Sequence, residues 1–187
     1  MKKVLLLGDS IRLFGYGLKV PELLGSDYTV WQSEDNNRFA KYTLYHLPDY
    51  FKQMPDPDVI HWNNGLWDSC VKYVEDGPFT PIDEYCEDML KILRELKKRT
   101  NNVIFAKTTH TRAGFNFNGI NPERRLMIDK YNAAIVPLLE KEGVVINDLN
   151  ILIDADDSLI SDDNIHLSQK GIDVCAEQVV RYIKSFE

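Results

Sequence analysis

The chain reads as an α/β protein in which one parallel sheet lies between two layers of helix. Short apolar runs alternate with stretches of helical periodicity in the order β-α-β-α-β-α-β-α-β-α. No repeat, low-complexity segment or linker interrupts that order, so a single domain over 1–187 is expected. Each apolar run ends in polar residues, as buried parallel strands do when their C-terminal ends gather at one ligand-binding edge. Five such runs imply a flavodoxin-like three-layer α/β/α sandwich with a five-stranded parallel sheet.

The first strand is Val4–Leu7, stopped by Gly8-Asp9-Ser10. Glycine permits backbone that other residues resist, and Asp and Ser start helices. Ser10 therefore falls where a strand turns into a helix. It reads there either as a helix cap or as a nucleophile with a backbone oxyanion donor beside it. Residues 11–24, broken by Gly15, Gly17 and Pro21, form an interrupted helix. Tyr28–Gln32 is the second strand and 33–38 a polar loop. Phe39–Phe51 carries a helical face, ended by Met54-Pro55-Asp56-Pro57. The third strand spans Asp58–Gly65 and runs into a polar end. Ile82–Arg99 is the clearest helix, with a basic C-terminal end. Val103–Ala106 is the fourth strand. Residues 112–121 hold two glycines and three asparagines and read as a lid loop. A helix from Pro122 to Lys141 follows, closed by Gly143. Val144–Ile146 is the fifth strand. An acidic loop over 154–163 leads to His166, and the last helix spans Ser168–Ser185 with Ser168 as its cap.

A formal net charge of -7 argues against nucleic acid or an anionic membrane as the main partner. Cys70, Cys86 and Cys175 are odd in number and widely spaced, so neither a disulfide framework nor a metal knuckle follows. The run after Met1-Lys2-Lys3 is too short for a signal peptide or a membrane span. The chain reads as cytoplasmic as written, and as periplasmic or secreted if a leader precedes it. Its oligomeric state is not legible.

Ser10, Asp163 and His166 are the parts of a Ser-His-Asp triad. The serine needs a base near neutral pH, the imidazole serves as one, and a carboxylate fixes its tautomer. An Asp three residues before the His reaches the other ring nitrogen. Among the other histidines, His46 lies in a helix, His61 packs within the third strand, and His110 follows the fourth strand at the functional edge, within reach of substrate. No metal and no cofactor is expected: no HExxH occurs, and the 154–158 run has neither the turn glycine nor the closing glutamate of a calcium loop. Gly8–Gly15 is not a phosphate loop, because no Gly-Lys-Ser/Thr follows.

Gly8-Asp9-Ser10-Ile11 and Asp163-Asn164-Ile165-His166 resemble the first and last blocks of the SGNH hydrolases, or GDSL esterases. The resemblance extends to Tyr131-Asn132, to Asp148, and to Leu167-Ser168-Gln169-Lys170-Gly171, so it covers nearly the whole chain. It implies a flavodoxin-like fold and metal-free serine ester hydrolysis. It also implies Ser10 as nucleophile, His166 as base and Asp163 as the partner of His166. Two blocks depart from the pattern. No glycine stands between Gly25 and Gly65, so the backbone N–H of Asn36 or Asn37 replaces the family's glycine N–H in the oxyanion hole. In Gly65-Leu66-Trp67-Asp68, Trp67 stands where the family has asparagine. Residues 63, 65 and 67 share one side of an extended strand, so Asn63 is expected to supply the missing amide, with Asn64 pointing away. The expected hole is then Ser10, Asn37 and Asn63, with Asn36, Asn64, Trp67 and His110 as further oxyanion or substrate contacts.

The expected activity is hydrolysis of a carboxylic ester, with a short acyl group such as acetyl on a carbohydrate or small molecule. Trp62, Trp67, Phe115 and Phe117 either line the binding wall or fill the core. One alternative is a lysophospholipase or thioesterase with a longer acyl pocket. Another, of a different class, is a non-catalytic flavodoxin-like module that binds a phosphate-bearing ligand.

Overall fold

The computed structural model describes residues 1–115 and 124–186. Five parallel strands form the main sheet: β1 (Lys2–Leu7), β2 (Tyr28–Gln32), β3 (Val59–Trp62), β6 (Val103–Ala106) and β7 (Val145–Asn147), in the order β2-β1-β3-β6-β7. This is the three-layer α/β/α sandwich that the alternation predicts. Between β3 and β6 lies a hairpin of β4 (Val71–Tyr73) and β5 (Gly77–Pro78), which the sequence does not announce. Its strands are too short to show a period of two.

Alternation along the strands divides the core. Leu5, Leu7, Ile60, Trp62 and Phe105 face one layer, packing against α3 (Ala40–Gln53), α4 (Ile82–Lys97) and α5 (Arg124–Lys141). Val4, Leu6, Ile104 and Ala106 face the other. There they meet α2 (Val20–Leu24), α6 (Leu149–Asp154) and α7 (Gln169–Lys184), together with Ile11 of the four-residue α1 (Ser10–Leu13). The expected interrupted helix over 11–24 is thus α1, a 3-10 turn at Tyr16–Leu18 and α2. Helix α6 was not anticipated; Asp148 caps it by accepting the Ile151 N–H at 2.9 Å. Of the expected lid, residues 116–121 lie outside the described residues, as do Phe117 and the helix start at Pro122. Among the described residues, no helix is long and apolar enough to cross a membrane.

His61 is fully buried within β3, as its place in the strand predicts, and burial lowers its imidazole to about 3. Asp68 joins the loop after β3 to both α3 and the hairpin. Its two oxygens each accept the Ala40 N–H at 3.1 Å, and one accepts the Thr80 hydroxyl at 2.9 Å. Burial pushes this carboxyl up to about 7, against the bonds from Thr80 and Ala40. A carboxyl raised on folding favours the native state below its unfolded value near 4, and that contribution is lost as pH rises through 7. Asp68→Asn does not titrate. Its melting temperature relative to wild type is therefore expected to climb between about pH 4 and pH 8, by at most about 4 kcal/mol in stability. A difference that stays constant across that range would contradict this account.

Candidate active site

The strand ends meet at one edge of the sheet, and Ser10 sits there as the first residue of α1. The cap of that helix is Asp9, whose carboxylate accepts the Ile11 N–H at 2.9 Å. The cap reading of Ser10 therefore falls to its neighbour, and the Ser10 hydroxyl is left for another partner. Among the described residues, the Ser10 N–H is engaged in no hydrogen bond. Gly8 is required by close approach, because a Cβ there would lie 1.9 Å from Asn63 Oδ1.

The partner of Ser10 comes from the other end of the chain. His166 Nε2 lies 2.9 Å from Ser10 Oγ, and His166 Nδ1 lies 2.6 Å from Asp163 Oδ2. The second Asp163 oxygen accepts the Ile165 and His166 N–H groups, both at 2.9 Å, and the Ser161 hydroxyl at 2.7 Å. Partial burial alone would raise the Asp163 carboxyl. The Ser161 hydroxyl, the His166 ring and the two backbone N–H groups outweigh that and hold it well below the usual carboxylate range. An ionised Asp163 fixes the proton of His166 on Nδ1 and leaves Nε2 as acceptor for the serine O–H. Arg112 holds the loop, donating to the Ile160 carbonyl at 3.0 Å, and its N–H donates to the Asn164 carbonyl at 2.9 Å. Asn164 adopts φ 67, a left-handed value that asparagine tolerates. Ser168 caps α7 as expected, accepting the Gly171 N–H at 3.1 Å.

A cleft of about 160 Å³ opens beside Ser10 and His166. Leu66, Trp67, Phe79 and Ile165 form its apolar wall, and Lys72 and Arg124 are its charged members. Lys72 stands over the Trp67 ring, 6.0 Å from its centre. Trp62, the other tryptophan considered for the wall, is fully buried in the core and donates its indole N–H to Asn64 Oδ1 at 2.8 Å.

Of the remaining expected oxyanion donors, the Asn37 and Asn36 N–H groups are engaged elsewhere, whereas, among the described residues, the Asn63 amide N–H is not. The Asn37 N–H donates to the Gly8 carbonyl at 3.2 Å, and its side-chain oxygen accepts the Gly8 N–H at 2.8 Å. Its amide donates to Tyr50 Oη at 2.6 Å. Asn37 thus clamps the turn that carries Ser10. The Asn36 N–H is bound to the carboxylate of Asp35 at 2.8 Å. Asn63 lies beside the turn: its oxygen accepts the Tyr16 hydroxyl at 2.8 Å, and among the described residues its amide nitrogen donates no hydrogen bond. Asp9 is pushed up by complete burial, and Asn63, the Ile11 N–H, Arg12 and His166 pull it back down. Asn64 does point away, donating to the Arg38 carbonyl at 3.0 Å. His110, expected near substrate, is held between Asp129 at 2.6 Å and Asp154 at 3.2 Å, and it does not line the cleft. Asn132 pins β6 to α5 by exchanging two bonds with the Thr108 backbone, at 3.0 and 2.9 Å.

Sequence reasoning missed Arg12, Lys72 and Arg124. Arg12 had a signal, a lone charge in the otherwise apolar Ile11–Phe14. The other two had none, because the hairpin and the α5 start reach the cleft only through the tertiary fold. Among the described residues, no group of three or more His, Cys, Asp or Glu side chains is placed to hold a metal ion.

No family model matches the sequence, and no curated protein resembles it closely enough to match. Solved structures do match in three dimensions, and they share the three-layer α/β/α fold of this chain over nearly its whole length. A lipase/acylhydrolase from Enterococcus faecalis superposes with a TM-score of 0.82 at 18% identity, covering 99% of this chain and 96% of that one. TesA matches with a TM-score of 0.77 at 14% identity over the full length of both chains. Axe2, an acetylxylan esterase from Geobacillus stearothermophilus, matches with a TM-score of 0.77 at 16% identity, covering 97% of this chain and 94% of that one.

The oxygen of Asn63 has a structural part to play besides any the amide has in catalysis. Asn63→Ala leaves the Tyr16 hydroxyl without its acceptor in a buried site. A loss of about 2–3 kcal/mol is expected in chemical denaturation. Wild-type stability in this variant would contradict the structural part of its role, and a collapse in turnover beyond the loss of folded protein would assign the amide to the oxyanion hole.

Proposed function

We propose that this protein is a serine hydrolase of carboxylic esters, with Ser10 as nucleophile, His166 as general base and Asp163 as the group that orients the imidazole. The observation that carries the reading is the unbroken relay from Ser10 Oγ through His166 to Asp163, at 2.9 and 2.6 Å. The fold it shares with acylhydrolases and an acetylxylan esterase supports the same reading. Serine and histidine variants of that acetylxylan esterase are described as catalytic mutants.

In this mechanism Ser10 Oγ attacks the ester carbonyl while His166 Nε2 takes its proton. The tetrahedral intermediate collapses as the imidazolium returns that proton to the departing alcohol. A water, deprotonated by His166, then attacks the acyl-serine and releases the acid. Three donors are free to meet the developing oxyanion: the Ser10 N–H, the side-chain amide N–H of Asn63, and the indole N–H of Trp67, which lines the cleft; none of the three has a described hydrogen bond. Trp67 stands at the sequence position of the family's asparagine, with the Asn63 amide as the donor expected in its stead. A cleft of about 160 Å³ suits a short acyl group such as acetyl, on a carbohydrate or small molecule, better than a long chain.

Ser10→Ala is expected to lower the hydrolysis of short p-nitrophenyl esters about 10⁴-fold or more and to abolish labelling by a fluorophosphonate probe, with the circular dichroism spectrum unchanged. His166→Ala should be about as damaging, because the two act as a unit. Wild-type turnover in either variant would end the triad reading.

Trp67→Phe keeps the aromatic wall and removes only the N–H. A fall in kcat on the order of 10² with little change in KM is expected, as for loss of one oxyanion donor. Wild-type kcat in this variant would mean that the hole is closed without the indole.

A further inference from the structure

Arg124 is buried, only 7% exposed, at the start of α5. One of its terminal nitrogens donates to Ser69 Oγ at 3.1 Å and the other to the Leu66 carbonyl. Both acceptors are neutral. Among the described residues, no carboxylate forms an ion pair with it; Asp9 acts on it only through space, after a larger lowering by burial. A guanidinium has five N–H groups, so two bonds leave others to be satisfied, and Arg124 lines the cleft that holds Ser10 and His166. An unpaired buried cation is costly to hold in a fold. The cost is offset when a ligand brings the opposite charge.

The second cation of the cleft repeats the pattern. Lys72, on the exposed strand β4, lies along the face of Trp67 and has no carboxylate within ion-pair distance among the described residues. Among the described residues no Asp or Glu lines the cleft, although the protein as a whole carries a net charge of -7. Both positive charges of the wall therefore border the space that a substrate would fill, against an overall field that repels anions.

We propose that the ester taken by this site carries a carboxylate, held by the free N–H groups of Arg124 and by the Lys72 ammonium while Ser10 attacks the ester carbonyl. The planar fork of an arginine matches a carboxylate in bidentate fashion, and a flexible lysine at the rim adds a point charge. The neutral wall of Leu66, Trp67 and Phe79 packs the carbon skeleton between the charge and the reacting bond. This inference rests on the ester-hydrolase reading and narrows its substrate class.

Two matched pairs of esters test it and separate the two sides on which the carboxylate can sit. The mono-4-nitrophenyl ester of succinic acid against 4-nitrophenyl butyrate places the charge on the acyl side. The pair of 3-acetoxybenzoate and 3-methylphenyl acetate places it on the alcohol side. In one of the pairs, kcat/KM is expected to favour the anionic ester by about tenfold or more at low salt. That preference should shrink several-fold in about 0.5 M NaCl, and also in Lys72→Gln. It should be kept in Lys72→Arg and lost in Arg124→Met. Lys72 is on the surface, so the Lys72 variants report even if the Arg124 variant does not fold. If the neutral esters are turned over as well as the anionic ones in both pairs, or if Lys72→Gln leaves the preference intact, the inference falls alone. If no ester is hydrolysed and the fluorophosphonate fails to label Ser10, the hydrolase reading falls and takes this inference with it.

Discussion

The guanidinium of Arg12 is the contact on which the candidate active site depends. It is fully buried two residues after Ser10, and it reaches the carbonyls of Ser33 at 2.6 Å, Asp35 at 2.8 Å and Gly8 at 3.0 Å. These bonds tie the turn after β1 to the loop after β2. Asn37 doubles the tie by exchanging two hydrogen bonds with Gly8. Burial lowers the guanidinium, while Tyr16, Asp9, Tyr50 and Asp35 act in the opposite direction. An arginine keeps its charge in a protein, so the full desolvation cost is met by these carbonyls. A turn that bears a nucleophile must hold its hydroxyl within tenths of an ångström of the base, and four residues of helix cannot do that alone. The fixed charge beneath the turn supplies the rigidity.

His166, the proposed base, is held by a different device. The loop from Ile160 to Leu167 folds back on itself: the Ser161 N–H donates to the His166 carbonyl at 2.8 Å, and the Asn164 N–H donates to the Ser161 carbonyl at 3.0 Å. Asp163 is satisfied inside this loop by three donors to one oxygen, which leaves the other oxygen for the imidazole. The same carboxylate therefore shapes the loop and aims the ring. Helix α7 follows at once, and its Ala176 and Val179 are buried against the sheet, so the loop is anchored to the core on its C-terminal side.

The surroundings of Ser10 also explain why asparagines near the strand ends were hard to assign. A polar side chain at the end of a buried strand has two ways to satisfy its hydrogen bonds: toward a ligand, or toward neighbouring turns. Asn37 and Asn64 take the second way, with Gly8 and Tyr50 and with Trp62 and Arg38 respectively, whereas Asn63 gives only its oxygen to Tyr16. Strand alternation correctly turned Asn64 away from the cleft. It also put Asn63 on the side of Trp67, but the chain turns at Gly65, where φ is 135, so extended-strand alternation does not carry past that residue.

Sequence alone determined the elements whose periodicity is long or whose punctuation is strong: the five parallel strands, the helices over Ile82–Lys97 and Gln169–Lys184, and Ser168 as a cap. It also singled out Ser10, Asp163 and His166, because the strand-turn-helix context and the spacing of three residues limit where those side chains can reach. Tertiary structure alone decided that Ser10 and His166, 156 residues apart, come within 2.9 Å. It alone placed the two-strand hairpin, Arg12 beneath the turn, and the cations at the cleft. The reason is physical. Local pattern reports which face a residue presents, a property of its own strand or helix. The partner it meets depends on how separate elements pack and on which of several competing donors and acceptors arrives first at a buried carbonyl or carboxylate.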